Sequence, residues 1–262
     1  MLTLLRDLRY SLRQLRRAPG LTLIAILTLA LGIGANTTMF TVIESVLLRP
    51  LPYTNAERLF YIGKSVEKPT YDATSWLSYR DIRDQARTLE TVAGYSNDVG
   101  VVETKDSSVS VVAPRVTPNL FSMLGVQPLL GRTFSDAEGL NGGPQAVVLS
   151  EGLWRQSFHA DPAILGRALK VGGIPRTVVG VMRDSFRFPE EAGADVRKGL
   201  WLPLQPTPTM ENERGLNFFE IVGKARSGTT AAQVQSEVDA ITERMRKSGA
   251  EGTSQLSFHA WP

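Results

Sequence analysis

Apolar positions along the chain follow three different patterns. Leu4, Leu5, Leu8, Leu12 and Leu15 recur every three or four residues with arginines between them, the period of an amphipathic helix. From Ala18 to Ile43 there is no charged residue, and Leu21 to Ala35 is nearly all apolar. About 26 helical residues at about 1.5 Å rise would extend about 39 Å, more than the roughly 30 Å hydrocarbon core of a bilayer. Beyond Pro50 the chain breaks into short alternating runs separated by glycine, proline and polar residues, as a folded domain requires.

In that later part, Leu59 to Val66 predicts a strand, and Ser75 to Gln85 a helix burying Tyr79, Ile82 and Ala86. Val99 to Thr104 and Ser107 to Val116 predict a hairpin turning at Lys105-Asp106. Pro118 to Leu124 predicts a short helix closing at Gly125. Gln145 to Leu149 reads as a buried strand, with Ser150 capping a helix that carries Leu153, Trp154 and Phe158. Ala168 to Val171 and Arg176 to Met182 pair across Gly172-Gly173, a favoured hairpin dipeptide. After a polar, proline-rich stretch from Gln205 to Gly215, Asn217 to Lys224 predicts a strand. Thr230 and Gln233 have capping-box spacing, and Ala231, Val234, Val238, Ile241 and Met245 follow on one helical face. With the final apolar Leu256-Ser257-Phe258 they outline a β-α-β unit like the one at 59 to 85 and beyond.

The pattern therefore predicts an α+β protein: an amphipathic helix (1–17), a transmembrane helix (18–48) and a two-lobe extracytoplasmic domain (49–262). A membrane-proximal β-α-β lobe would combine 51–112 with 216–262, and a β-rich lobe at 113–212 would be inserted into it. Closeness of 59–66 to 218–224 is the geometric requirement of that arrangement.

Charge sharpens the membrane reading. The 262 residues hold 29 basic and 26 acidic side chains, net +3. Arg6, Arg9, Arg13, Arg16 and Arg17 against Asp7 give the first 17 residues +4, so the remainder sums to −1. A nucleic-acid footprint is thus missing from the body, and the basic cluster places the N-terminus in the cytoplasm by the positive-inside rule. Its arginines suit anionic headgroups of the lipid bilayer. A cleaved signal peptide has the same basic-then-apolar order, but the apolar run is long and no clean small-x-small cleavage site follows it before the Leu47-Leu48-Arg49-Pro50 turn.

Candidate chemistry is sparse. With no cysteine, disulfides and thiolate metal sites are excluded, and two histidines, His159 and His259, leave little for an imidazole site. No GxxxxGK[ST] loop occurs, and Gly32-Ile33-Gly34 lies inside the apolar run, where small residues serve helix packing. Ser150 follows a strand but lacks the flanking glycines of a nucleophile elbow, so a helix cap is its expected role. His159 is expected at the end of that helix. Asp136 with Glu138, and Glu190 with Glu191, read as solvated loop charges, and Trp76, Trp154 and Trp201 as core or lobe-interface anchors. The expected set of catalytic, cofactor-binding and metal-ligating residues is empty.

The runs Leu8-Arg9-Tyr10 to Arg17, Pro19-Gly20, Leu27 to Thr37 (LTLALGIGANT) and Val46 to Tyr53 (VLLRPLPY) resemble the N-terminus of ABC transporter permeases with a MacB-like periplasmic core domain. The likeness is to the FtsX-like, long duplicated type first noted in acidobacteria. Asn119-Leu120-Phe121, Leu124-Gly125-Val126, Gly131-Arg132, Leu153-Trp154-Arg155 and Val178 to Met182 extend it along the chain. The resemblance implies a permease subunit in the bacterial inner membrane, moved by a separate cytoplasmic ABC ATPase, with a periplasmic adaptor or envelope protein as further partner and a homodimer as its assembly. It implies no cofactor and no catalytic residue in this domain. Such permeases continue with three more membrane helices, which this sequence lacks, so only the N-terminal portion is expected here. The rival expectation is a stand-alone membrane-tethered binding or scaffold module without transport.

Overall fold

Pro19 opens the first helix where its missing N–H costs no hydrogen bond, and the uncharged run behind it continues as helix α1, Pro19–Ile43. The computed structural model describes residues 18–43, 53, 55–65, 73–103, 108–186, 199–248 and 257–261. The expected amphipathic helix 1–17, the 104–107 turn, Glu190 and Glu191 lie outside them. Thr22, Thr28 and Thr37 in α1 turn their hydroxyls back onto the carbonyls of Ala18, Ile24 and Ile33, at 2.9, 2.8 and 2.7 Å. Leu23, Ile24, Ile26, Leu27, Leu29 and Leu31 are exposed. A Cβ added at Gly32 or Gly34 would meet nothing within 4 Å. Counted over the described residues alone, no helix is long and apolar enough to cross a membrane; the side chains at 21, 25, 35, 38 and 41–43 of α1 are outside that set. This segment is one unit of the chain, and Leu51–Pro262 forms the other.

In the second unit, strand β1 (Leu59–Ser65), helix α2 (Trp76–Gln85) and strand β2 (Leu89–Ser96) make the first β-α-β unit. Strand β11 (Glu220–Ala225), helix α6 (Ala231–Lys247) and strand β12 (Ser257–Trp261) make the second. All pairings are antiparallel in the order β12-β1-β11-β2, the split β-α-β arrangement of ferredoxin-like domains. The register runs from Leu59↔Lys224 to Ile62↔Ile221, so 59–62 and 221–224 are neighbours. Alternation along each strand puts Phe60, Ile62 and Ile221 under the helices, where Ile82, Val238 and Ile241 close the core. The capping box expected for α6 forms between Thr230 and Gln233.

Edge strand β12 is closed by a side chain. Gln235 on α6 donates Nε2 to the Phe258 carbonyl at 3.2 Å and accepts the Ala260 N–H at 2.8 Å, standing in for a neighbouring strand.

Residues 97–219 intervene between the two β-α-β units. They contribute the hairpin β3 (Val99–Glu103) and β4 (Ser108–Val112), then β5 (Arg115–Val116), helix α3 (Leu120–Leu124) and β6 (Pro128–Gly131). Strand β7 (Ala146–Ser150), helix α4 (Glu151–Phe158), the hairpin β8 (Ala168–Val171) and β9 (Ile174–Met182), β10 (Leu200–Pro203) and helix α5 (Pro208–Asn212) follow. The sheet continues β2-β5-β10-β7-β9-β8-β3-β4, with β6 also on β9. Gly172 and Gly173, both at positive φ, form the tight β8–β9 turn.

The hairpin at 99–112, expected with the membrane-proximal lobe, instead pairs Val102 with Val171 of β8 at the far end of the sheet. The reason is β2, which the sequence pattern did not pick out. It already supplies the second strand of the first β-α-β unit, and the chain leaves that sheet directly after Ser96.

Candidate binding cleft

A cleft of about 590 Å³ lies where α2 meets loops of the 97–219 insertion. Its floor follows from a serine cap: Ser75 Oγ accepts the Ser78 N–H at 3.2 Å, which fixes the first turn of α2 and presents Trp76 and Tyr79 together. Their ring centroids are 4.9 Å apart, and both pack edge-on against Phe219, at 5.7 and 5.1 Å. Arg83, one turn further on, lies 5.5 Å from the Tyr79 ring centroid. Burial pushes the Tyr79 hydroxyl pKa up, against the opposing pull of Arg83.

The facing wall is built from 117–119, 136–141 and 204–206, with Glu211 of α5 at the rim. Thr117 Oγ accepts the Gly94 N–H at 3.0 Å, and Asn119 Nδ2 donates to the Val92 carbonyl at 2.9 Å, tying this wall to β2. Gly139 is required at its position: a Cβ there would fall 2.4 Å from Pro118 Cγ. Gln205 Nε2 donates to the carbonyls of Glu138 and Gly143 at 2.9 and 3.0 Å, and its Oε1 accepts from Gln145 Nε2 at 2.8 Å. Arg214 holds Asp81 at 2.7 Å, joining the segment after α5 to α2.

Glu138 corrects the expectation of a solvated loop charge. It is buried, forms a capping box with Ser135, and takes both guanidinium nitrogens of Arg132 at 2.9 and 2.7 Å. Burial by itself would raise its pKa, but these donors hold it below the usual carboxylate value. Its neighbour Asp136 is exposed and lines the cleft.

The remaining singled-out residues fall where the pattern put them. Ser150 accepts the Leu153 N–H at 3.1 Å as the cap of α4, and His159 is the left-handed C-cap at the opposite end of that helix. The two are therefore not assembled for nucleophilic chemistry. Trp76 is buried beside the cleft, while Trp154 and Trp201 belong to separate core clusters. Among the described residues no group of three or more acidic or histidine side chains is placed to hold a metal ion. Arg83, Asn119, Leu140, Asn141 and Glu211 were not anticipated at a site. The one sequence signal for it is the aromatic pair Trp76 and Tyr79, three residues apart at a helix start.

A ferredoxin-like unit interrupted by a long β-rich insertion defines the class, a mixed α+β domain. The chain belongs to the MacB-like periplasmic core domain family, whose model matches residues 22–241. Over 131 residues it is 26% identical to the macrolide export ATP-binding/permease protein MacB of Shigella dysenteriae serotype 1, and that match covers 50% of this chain but 19% of the relative. The same figures hold for MacB of Escherichia coli K12. In fold, the chain is similar to the periplasmic region of MacB from Actinobacillus actinomycetemcomitans, with TM-score 0.57, 14% identity, and coverage of 78% of this chain and 88% of that one. It is also similar to the extracellular domain of the ABC-type transporter YknZ from Gram-positive bacteria, with TM-score 0.54, 13% identity, and coverage of 78% and 100%.

Proposed function

We propose that this chain is the membrane-anchored N-terminal part of an ABC-type permease, whose extracytoplasmic domain couples ATPase-driven movement to export or to an envelope partner. The observation that carries this reading is the family match over 22–241, which runs from within α1 through the whole folded body to α6. In this reading α1 spans the inner membrane with the arginine-rich N-terminus in the cytoplasm. Three features support that placement: its 25 residues are uncharged, Leu23, Ile24, Ile26, Leu27, Leu29 and Leu31 are exposed, and the hydroxyls of Thr22, Thr28 and Thr37 are satisfied within the helix. The ferredoxin-like unit is the membrane-proximal lobe and the 97–219 insertion the second lobe.

ATP hydrolysis is assigned to a separate subunit, and the domain itself is a mechanical and binding element without catalysis. The test is topological and biochemical together. Protease added to intact spheroplasts should cleave the part after residue 48 while a cytoplasmic control survives, and affinity purification of the chain should retain an ABC ATPase. Protection of the folded body would overturn the placement; absence of any ATPase would leave the tether and remove the transport role.

A further inference from the structure

The walls of the cleft hold groups that the fold leaves unused. Trp76 is buried and gives the floor of the cleft an apolar surface. Three charged side chains line the space. Arg83 is engaged, donating Nε to Asp84 at 2.7 Å and stacking near Tyr79. Asp136 and Glu211 are exposed and have no ion-pair partner among the described residues. With Arg83 matched by Asp84, the residual charge of the cleft is negative. Asn141 adds an amide group of the kind that pairs with a peptide backbone, and Leu140 stands 63% exposed at the lip.

We propose that this cleft docks an extended, basic polypeptide segment of an extracytoplasmic partner. An apolar side chain would lie against Trp76, Leu140, Pro118 and Pro206, with a lysine or arginine at Asp136 and Glu211. Charge complementarity selects the occupant, because an acidic segment would meet two unpaired carboxylates and no free guanidinium. The extracytoplasmic location of the partner rests on the placement proposed above; the binding chemistry does not.

The full chain in zwitterionic nanodiscs, with empty discs as control, is titrated with a fluorescein-labelled octapeptide of alternating leucine and lysine, and with the same peptide carrying glutamate for lysine. The basic peptide should bind at least tenfold more tightly than the acidic one and weaken as salt is raised. Combining Asp136→Asn with Glu211→Gln should lower its affinity about tenfold without changing the melting temperature, since both side chains are exposed. Equal binding of the two peptides, no binding, or binding untouched by the double charge variant would overturn the docking site. So would uptake of the cationic dye rhodamine 6G, blocked by the charge variant, in the absence of peptide binding, because that outcome defines a small-molecule site. No ATPase is present in this assay, so its failure leaves the membrane anchoring and ATPase association to be judged by their own test.

Discussion

The Tyr61 hydroxyl on β1 meets the buried carboxyl of Glu220 on β11. Gly63 makes room for the contact: a Cβ there would lie 2.6 Å from Tyr61 Cε1 and 3.1 Å from Trp261 Cζ3, beneath both rings. On its other side Glu220 pairs with Tyr95 of β2. This is the face of the ferredoxin-like sheet opposite α2 and α6, and burial there pushes the Glu220 carboxyl up to about 7.

A carboxyl whose folded pKa exceeds its unfolded one favours folding fully below about 4.5, and that contribution is lost as pH rises through about 7. At about 1.4 kcal/mol per pKa unit, the loss has a ceiling of about 3 kcal/mol. Glu220→Gln cannot ionise, so its stability should fall less than that of the parent between pH 5 and pH 8. Melting temperatures at the two pH values check this; parallel shifts in both proteins would contradict it.

Gln235→Ala should strip the cover from β12. Two backbone groups lose their partners, at an expected cost of about 1–3 kcal/mol. The bared edge also becomes a template for strand pairing. Denaturant unfolding and concentration-dependent light scattering report the two effects separately.

Arg132→Met should leave the Glu138 carboxylate buried beside Ser135 alone. Because the Arg132 side chain is 54% exposed, the cost should be about 1–3 kcal/mol, below that of breaking a fully buried pair. Glu138 is held low in the folded state, so its contribution is present at neutral pH and lost as pH falls through the folded value. The variant should accordingly lose less stability than the parent on acidification, as followed by circular dichroism.

Leu27→Arg places a charge at the middle of α1. Insertion of an arginine there costs about 2.5–3.5 kcal/mol on the translocon scale. Membrane-fraction yield should drop, with protein moving to the soluble or degraded pool; an unchanged yield would show that α1 does not span.

Local signals in the sequence were faithful wherever one residue decides a conformation. Thr230 with Gln233, Ser150, Gly172-Gly173 and Gly125 all sit at the caps and turns expected of them, because each satisfies a backbone requirement within a few residues. Strand β2 escaped notice for the opposite reason. Its Gly94 breaks the apolar alternation, and the glycine exists for a tertiary contact: a Cβ there would come within 2.3 Å of the Phe219 ring. Missing β2 carried the lobe boundary to 112, although the interrupted β-α-β arrangement itself was legible. The cleft was less so. Trp76 was read as an anchor, and it is one, but its wall-mates come from loops up to 135 positions away, from 76 to 211. Such loops have no period to read. Glu220 did carry a signal, being a lone acid inside the strand-forming run NFFEIVGK.

Strand β5 consists of two residues, Arg115 and Val116, yet it is the sole rung of the ladder between β2 and β10. The Thr117 N–H to the Gly94 carbonyl, and the Leu202 and Leu204 N–H groups to the carbonyls of Pro114 and Val116, extend the bonding on either side, and apolar packing of Tyr95, Val116, Phe121 and Trp201 backs this narrow seam. A load across the sheet would fall on few bonds at this seam, where the longer ladders on either flank share it over many.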